Sequence, residues 1–394
     1  MTSWASSSNR ARALVAALAL AAALGGCARR VESAPPPHLR IAIFPIENAS
    51  ASLVNVRDLA TRLEVSLRRR GVEVVTGDIV ESFLARHRQR YTGGLDGPTA
   101  LAAKEELEVD AVLVTAVDLY WTAGSPKYGM TMRLVSTGEN PSILWMDGSS
   151  RAGDEAPGLF NLGLVTSVRE LQNQALAKLS DSLTGFLQRR HPGATVCQSD
   201  SRFGPRVLFR SPLSTAEKRI SIAVLPFVNQ SNQANAGDVL SLAFVRTLLA
   251  AGWIDVRDPG IVRTELLRHR VVMEGGVSSE TARVALGSMN VDVVVSGYVR
   301  GYDDGEPRVE FTVIALDTWD NRVVWQSSSY SRGSDGVVLF DFGKVDTANQ
   351  LACRMVRDVV DEMAGYWAKR RAPQIRFGTL PSSPPAPQKQ EHRP

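Results

Sequence analysis

IAIFPIENAS at residues 41–50 returns as IAVLPFVNQS at residues 222–231, and this recurrence decides the architecture. Ile41, Ala42, Ile43 and Phe44 form a nearly continuous apolar run, the pattern of a strand covered on both faces. Pro45 has no N–H to donate and ends the regular pairing, and Asn48 and Ser50 follow as turn and cap residues. Leu59, Leu63 and Leu67 recur at helical spacing. Their helix stops at Arg68-Arg69-Arg70-Gly71, with cations at the negative end of its dipole and a glycine to leave it. Leu240, Phe244 and Leu248 do the same before Gly252.

The correspondence continues down the chain. A short strand at residues 72–76 leads to a helix ending in Arg86-His87-Arg88, and its counterpart runs from Trp253 to Arg268-His269-Arg270. These cations sit where helix C-termini favour them and read as caps rather than an anion site. Gly93-Gly94 and Gly275-Gly276 break the chain before another short helix, and neither is followed by the Gly-Lys-Ser/Thr of a phosphate loop. Val109-Asp110-Ala111-Val112-Leu113-Val114 matches Val291-Asp292-Val293-Val294-Val295-Ser296, and the runs carry on to Tyr120 and Tyr302. Return strands at residues 130–135 and 309–316 lead through hairpins to Ile143-Leu144-Trp145 and Val323-Val324-Trp325. Closing amphipathic helices carry Leu171, Ala175, Leu179 and Leu183, or Leu351, Met355, Val359 and Met363.

The order βαβααβββα, written twice, predicts an α/β chain of two tandem lobes, each a small mixed sheet covered by helices. The lobes are expected at residues 39–190 and 219–365. Residues 191–218, with Pro192, Gly193, Gly204, Pro205 and Pro212, read as a linker with room for one docked strand around Val207-Leu208-Phe209. Residues 366–394 form a basic, Pro-rich tail whose composition predicts disorder.

At the other end, residues 1–26 hold Arg10 and Arg12, an apolar run at 13–24 too short to span a bilayer, and the small pair Gly25-Gly26 before Cys27. This is the layout of an export signal. Leu24-Gly25-Gly26-Cys27 resembles a bacterial lipobox, which implies diacylglyceryl attachment to Cys27. Ala28, rather than an aspartate, follows the cysteine, and the likeness to bacterial lipoproteins then implies the outer membrane. Residues 27–38, with Pro35-Pro36-Pro37, would tether the lipid to the folded body.

Once Cys27 is assigned, Cys197 and Cys353 remain, an even number in an oxidising compartment. They form either a disulfide from the linker to the last helix, or one loop thiol and one buried thiol. With 44% apolar residues the chain can fill two cores, so packing supplies most of the stability. The chain holds 45 basic and 41 acidic residues, but Arg10 and Arg12 leave with the signal, and Lys369, Arg370, Arg371, Arg376, Lys389 and Arg393 lie in or beside the tail. The folded body is therefore slightly acidic, which argues against a nucleic-acid platform.

No His-Glu-x-x-His, Cys-x-x-Cys or Gly-x-Ser-x-Gly motif occurs, and His38, His87, His191, His269 and His392 are scattered. The sequence calls for no catalytic residue, metal or cofactor. The candidate partner surface is the loop carrying Tyr120, Trp121 and Tyr128 around Gly124-Ser125-Pro126, since clustered aromatics are common interface anchors. The competing reading folds Tyr120 and Trp121 back onto the sheet.

Taken in order, the strand ending in Pro45-Ile46-Glu47-Asn48-Ala49-Ser50, the helix ending at Gly71, the Val109-Asp110-Ala111-Val112 strand and the Thr137-Gly138-Glu139 turn before Trp145 resemble a superfamily of envelope domains. It includes the curli-secretion lipoprotein CsgG, the penicillin-binding-protein activator LpoB and the amino-terminal domain of TolB. The resemblance covers each repeat and implies a non-enzymatic domain that binds envelope proteins or assembles with copies of itself. Three departures qualify it, the first being the tandem arrangement in place of the usual single copy. Residues 120–130 are too short for the added membrane strands of a CsgG-like pore, and the second repeat has Asp317-Thr318-Trp319-Asp320-Asn321 in place of the Thr-Gly-Glu turn. The expectation is a lipid-anchored periplasmic scaffold or regulator of an envelope assembly. A subunit of an oligomeric secretion or transport apparatus is the second reading, and an envelope hydrolase the third.

Overall fold

The computed structural model describes residues 39–155, 163–189, 193–215, 219–271, 279–337 and 343–369, which belong to one compact unit. The signal with Cys27, the tether, Gly275-Gly276, the start of the linker and the tail from residue 370 lie outside the described residues.

The first lobe comprises β1 (Arg40–Ile43), β2 (Glu47–Asn48), α1 (Val56–Arg68), β3 (Glu73–Val75), α2 (Asp78–Arg86), α3 (Gly97–Glu106), β4 (Ala111–Trp121), β5 (Lys127–Ser136), β6 (Ile143–Ala152) and α4 (Val168–Arg189). After β7 (Gly193–Ala194) and β8 (Arg206–Arg210) the second lobe repeats the plan. It comprises β9 (Ile220–Val224), β10 (Val228–Asn229), α5 (Ala236–Ala250), β11 (Ile254–Val256), α6 (Pro259–Arg268), α7 (Ser279–Met289), β12 (Val293–Asp303), β13 (Arg308–Asp317), β14 (Arg322–Arg332) and α8 (Ala348–Lys369).

Each lobe is a seven-stranded mixed sheet. The order is β3-β1-β4-β5-β6-β7 in one and β11-β9-β12-β13-β14-β8 in the other. Helical crossovers make β3-β1-β4 parallel, and the hairpins make β4-β5-β6 antiparallel. Pro45 does interrupt β1, but the chain resumes as β2 and pairs further along β4, Glu47 opposite Ala116. The linker does more than the sequence predicts. Its β8 docks on β14 at the expected place, and its β7 also pairs with β6, so the linker caps one edge of each sheet.

One face of the first sheet is covered by α1 and α4 through Leu59, Leu63, Leu67, Leu171 and Leu179, against Met130, Met132 and Trp145. The other face meets α2 and α3 through Val80, Phe83 and Ala100, but only over its β1 side. Ile143 and Met146 instead join the core of the second lobe. That core is built on α5 and α8, with Phe244 stacked on Phe227 and edge-on to Phe311.

Candidate functional site

Helix α5 decides how the lobes meet. Its sequence, AGDVLSLAFVRTLLA, is apolar almost all round, and of its residues only Asp238 is exposed. Such a helix needs cover on two sides. Leu240, Phe244 and Leu248 face its own sheet, and Val239, Leu242 and Arg246 face the cleft against the first lobe. The matching helix α1 instead exposes Arg57, Thr61, Val65 and Arg68.

The contact is locked by an ion pair. Arg133 Nε on β5 donates to Asp258 Oδ2 at 2.8 Å, with the two side chains 2% and 0% exposed. Arg133 also donates to the carbonyl of Gly93. Asp258 Oδ1 caps α6 by accepting from Gly260 N at 2.8 Å, and accepts from Leu95 N across the interface at 3.0 Å. The backbones at Gly94 and Gly260 touch so closely that a Cβ on either would collide with the other lobe. The Arg263 guanidinium lies 4.4 Å from the Tyr91 ring centre, a second cross-lobe contact.

Beside this lock lies a cleft of about 310 Å³ whose lining includes Asp118, Thr131, Asp147, Arg246 and the Cys197–Cys353 disulfide. The disulfide holds the two Cα atoms 5.7 Å apart and pins the linker to α8. Burial pushes the Asp118 carboxyl up to about 7, against a hydrogen bond from Thr131 and the nearby Arg246 charge. Its Oδ1 is buried and has no hydrogen-bond partner. Burial also lowers the Arg246 pKa, opposed by Asp147 and Asp118, and one guanidinium nitrogen lies 2.6 Å from Cys353 Sγ. A carboxyl titrating near neutrality can exchange a proton. Among the described residues, however, no group of three His, Cys, Asp or Glu side chains could hold a metal ion.

A wider cleft of about 700 Å³ opens where the β4–β5 and β12–β13 hairpins meet, lined by Trp121, Lys127, Asp303, Arg332, Lys344 and Asp346. Lys127 Nζ donates to the carbonyls of Asp304 at 2.5 Å and Gly305 at 2.9 Å, so the first lobe clamps the second hairpin. The hairpin is preformed for this, because Asp303 Oδ1 accepts from Gly305 N at 2.8 Å. Trp121 is half-buried, its Nε1 donates to Ala123 O at 2.6 Å, and its ring lies beside Gly305. Burial pushes the Asp304 carboxyl up to about 6, against the Lys127 charge.

The sequence reading of the aromatic loop needs correction at Tyr128. That residue is 1% exposed, because strand alternation sets it with Met130 and Met132 on the core face. Tyr120 packs edge-on against it, 6.5 Å between ring centres. Of the three aromatics only Trp121 reaches the cleft. Arg86 and the His87 ring are held by Glu106 on α3, at 2.8 and 2.5 Å, while His269 faces Ser288 at 2.8 Å, so the two copies share no common site. Arg133, Arg246, Asp118 and Lys127 were missed from sequence. Arg133, Arg246 and Asp118 carried a signal, being lone charges in the apolar runs MTMRLV, LAFVRTLL and LVTAVDLY.

No family model matches this sequence, and no curated protein matches it. Among solved structures, it is similar to a PelC dodecamer from Paraburkholderia phytofirmans at 20% identity, covering 40% of this chain and 95% of that one, with TM-score 0.29. It is similar to lipoprotein GNA1162 from Neisseria meningitidis at 16% identity over 37% of this chain and 99% of that one, TM-score 0.27. The C-terminal domain of LpoB from Salmonella enterica matches at 10% identity over 30% of this chain and 87% of that one, TM-score 0.24.

Two outcomes follow from this geometry. Arg133→Met leaves Asp258 buried without its cation and is expected to destabilise the protein by about 3–5 kcal/mol in urea unfolding. Asp304 ionises near 3.8 when unfolded and near 6 when folded, so the stability from its neutral form is whole below about pH 4 and lost as the pH rises through 6. Asp304→Asn is expected to flatten that decline and raise stability at neutral pH by up to roughly 3 kcal/mol, read from unfolding curves across pH 4–8.

Proposed function

We propose that this chain is a lipid-anchored periplasmic lipoprotein that serves as a non-enzymatic scaffold or regulator of a cell-envelope assembly. The observation that carries this reading is the use made of the charged groups between the lobes. Arg133, Asp258 and Lys127 tie two like lobes into one body, and the wide cleft that Lys127 helps to line presents a rim tryptophan between charges of both signs. Such a surface suits a protein segment, with Trp121 as the anchor and Lys344, Arg332 and Asp346 at its edge. The lipobox-like Leu24-Gly25-Gly26-Cys27 and the superfamily resemblance of each repeat support the envelope setting. No helix among the described residues is long and apolar enough to cross a membrane, and in this reading the attachment is the lipid on Cys27.

A photo-crosslinker beside Trp121 in cells is expected to capture an envelope protein, and Trp121→Ala to cut its recovery at least tenfold. Unchanged recovery would sink the anchor assignment. Cys27→Ala is expected to move the protein from the membrane fraction to the soluble periplasm, and retention at the membrane would overturn the lipid attachment.

A further inference from the structure

The lobes are joined head to tail. The α5/α8 face of the second lobe sits on the β4–β6 face of the first, so the chain ends in two unlike surfaces. One is the α1/α4 face of the first lobe, and the other is the β12–β14 face of the second. Matching positions can be paired through the repeat. Thr131 lies opposite Gly148 as Thr312 lies opposite Ser328. The bulge after Val117 matches that after Val299, and Leu59 and Leu63 match Leu240 and Phe244.

We propose that a second copy of this chain occupies the β12–β14 face, docking its α1/α4 face there and repeating between chains the packing that joins the lobes within one. Three substituted pairs carry the argument. Within the chain, a Cβ at Gly129 would stand 3.0 Å from Asn349 Nδ2. The matching positions are Glu310 and Arg169, so opposite charges would meet between copies. Within the chain, Gly148 leaves room for the Arg246 guanidinium. The matching positions are Ser328 and Val65, a larger residue on the sheet facing a smaller one on the helix. Within the chain, Arg133 pairs with Asp258. The matching positions are Ile314 and Gly77, so both members of the ion pair are replaced together and no charge would be buried alone.

Both faces also hold apolar or aromatic surface for such a contact. Val65 is 41% and Tyr330 52% exposed. Arg169 is exposed on α4 and pairs with Asp58 at 3.4 Å. A contact between unlike faces does not end at a dimer. It continues into a ring or an open chain, according to the rotation per step.

The test is the native mass of the full lipidated protein in detergent across a concentration series. An assembly larger than a dimer is expected. Arg169→Glu and Glu310→Arg, each alone, set like charges against each other and are expected to raise the concentration needed for assembly at least tenfold. Mixing the two variants is expected to restore it, because each offers the other the charge it lacks, and this rescue excludes misfolding and micelle sharing. A monomer at every concentration, a symmetric dimer that goes no further, or an assembly indifferent to both variants would overturn the proposal. The readout is mass, so it stands or falls independently of whether Trp121 binds an envelope protein.

Discussion

The ion pair between Arg133 and Asp258 is the constraint on which the joining of the lobes depends. Both side chains are almost fully buried, and each is tolerated inside because the two charges pair and each takes further hydrogen bonds. Arg133 takes the Gly93 carbonyl as well as the carboxylate, and Asp258 takes the N–H groups of Leu95 and Gly260. Apolar burial is non-directional and would let two flat faces slide. The ion pair, with the Gly94–Gly260 backbone contact beside it, selects one register.

The two lobes share a plan and differ in what their outer surfaces must meet. Helix α1 faces its own sheet and exposes Arg57 and Arg68, while Arg62 and, just past its end, Arg70 reach Gln172, Asn173 and Asp181 on α4. Helix α5 lies between two sheets and has given up almost every polar position. Its one cation, Arg246, is kept where Asp118 and Asp147 on the first sheet can oppose it. A repeated fold thus carries one interface made within the chain and two ends with other residues at the matching positions.

The linker contributes structure rather than mere distance. Its strands β7 and β8 cover an edge of each sheet, removing two rows of unpaired backbone groups. The disulfide from Cys197 to Cys353 closes a sequence separation of 156 residues, for which a chain-entropy account gives on the order of 5 kcal/mol. It ties the linker to α8 at the same cleft where Arg246 lies, so covalent and electrostatic restraints act on one region.

The sequence by itself determined the tandem plan, the order of the main elements in each lobe and the inward residues of several of them. Periodicities of 2 and 3.6 are local properties, and Leu59, Leu63 and Leu67 or Tyr128, Met130 and Met132 display them without reference to the rest of the chain. Pro45, Gly71 and Gly252 marked their boundaries for the same reason, the glycines with φ of 77° and 76°. Tyr128 was legible as a core residue from that alternation, although aromatic clustering pointed the other way. What covers the open half of the first sheet was not legible. Arg133 and Asp258 are 125 residues apart, and Lys127 and the Asp304 carbonyl 177. A local pattern says which side of a segment avoids water, but not which distant segment excludes it. Only the tertiary structure brought those groups together, because their pairing depends on the packing of one whole lobe against another.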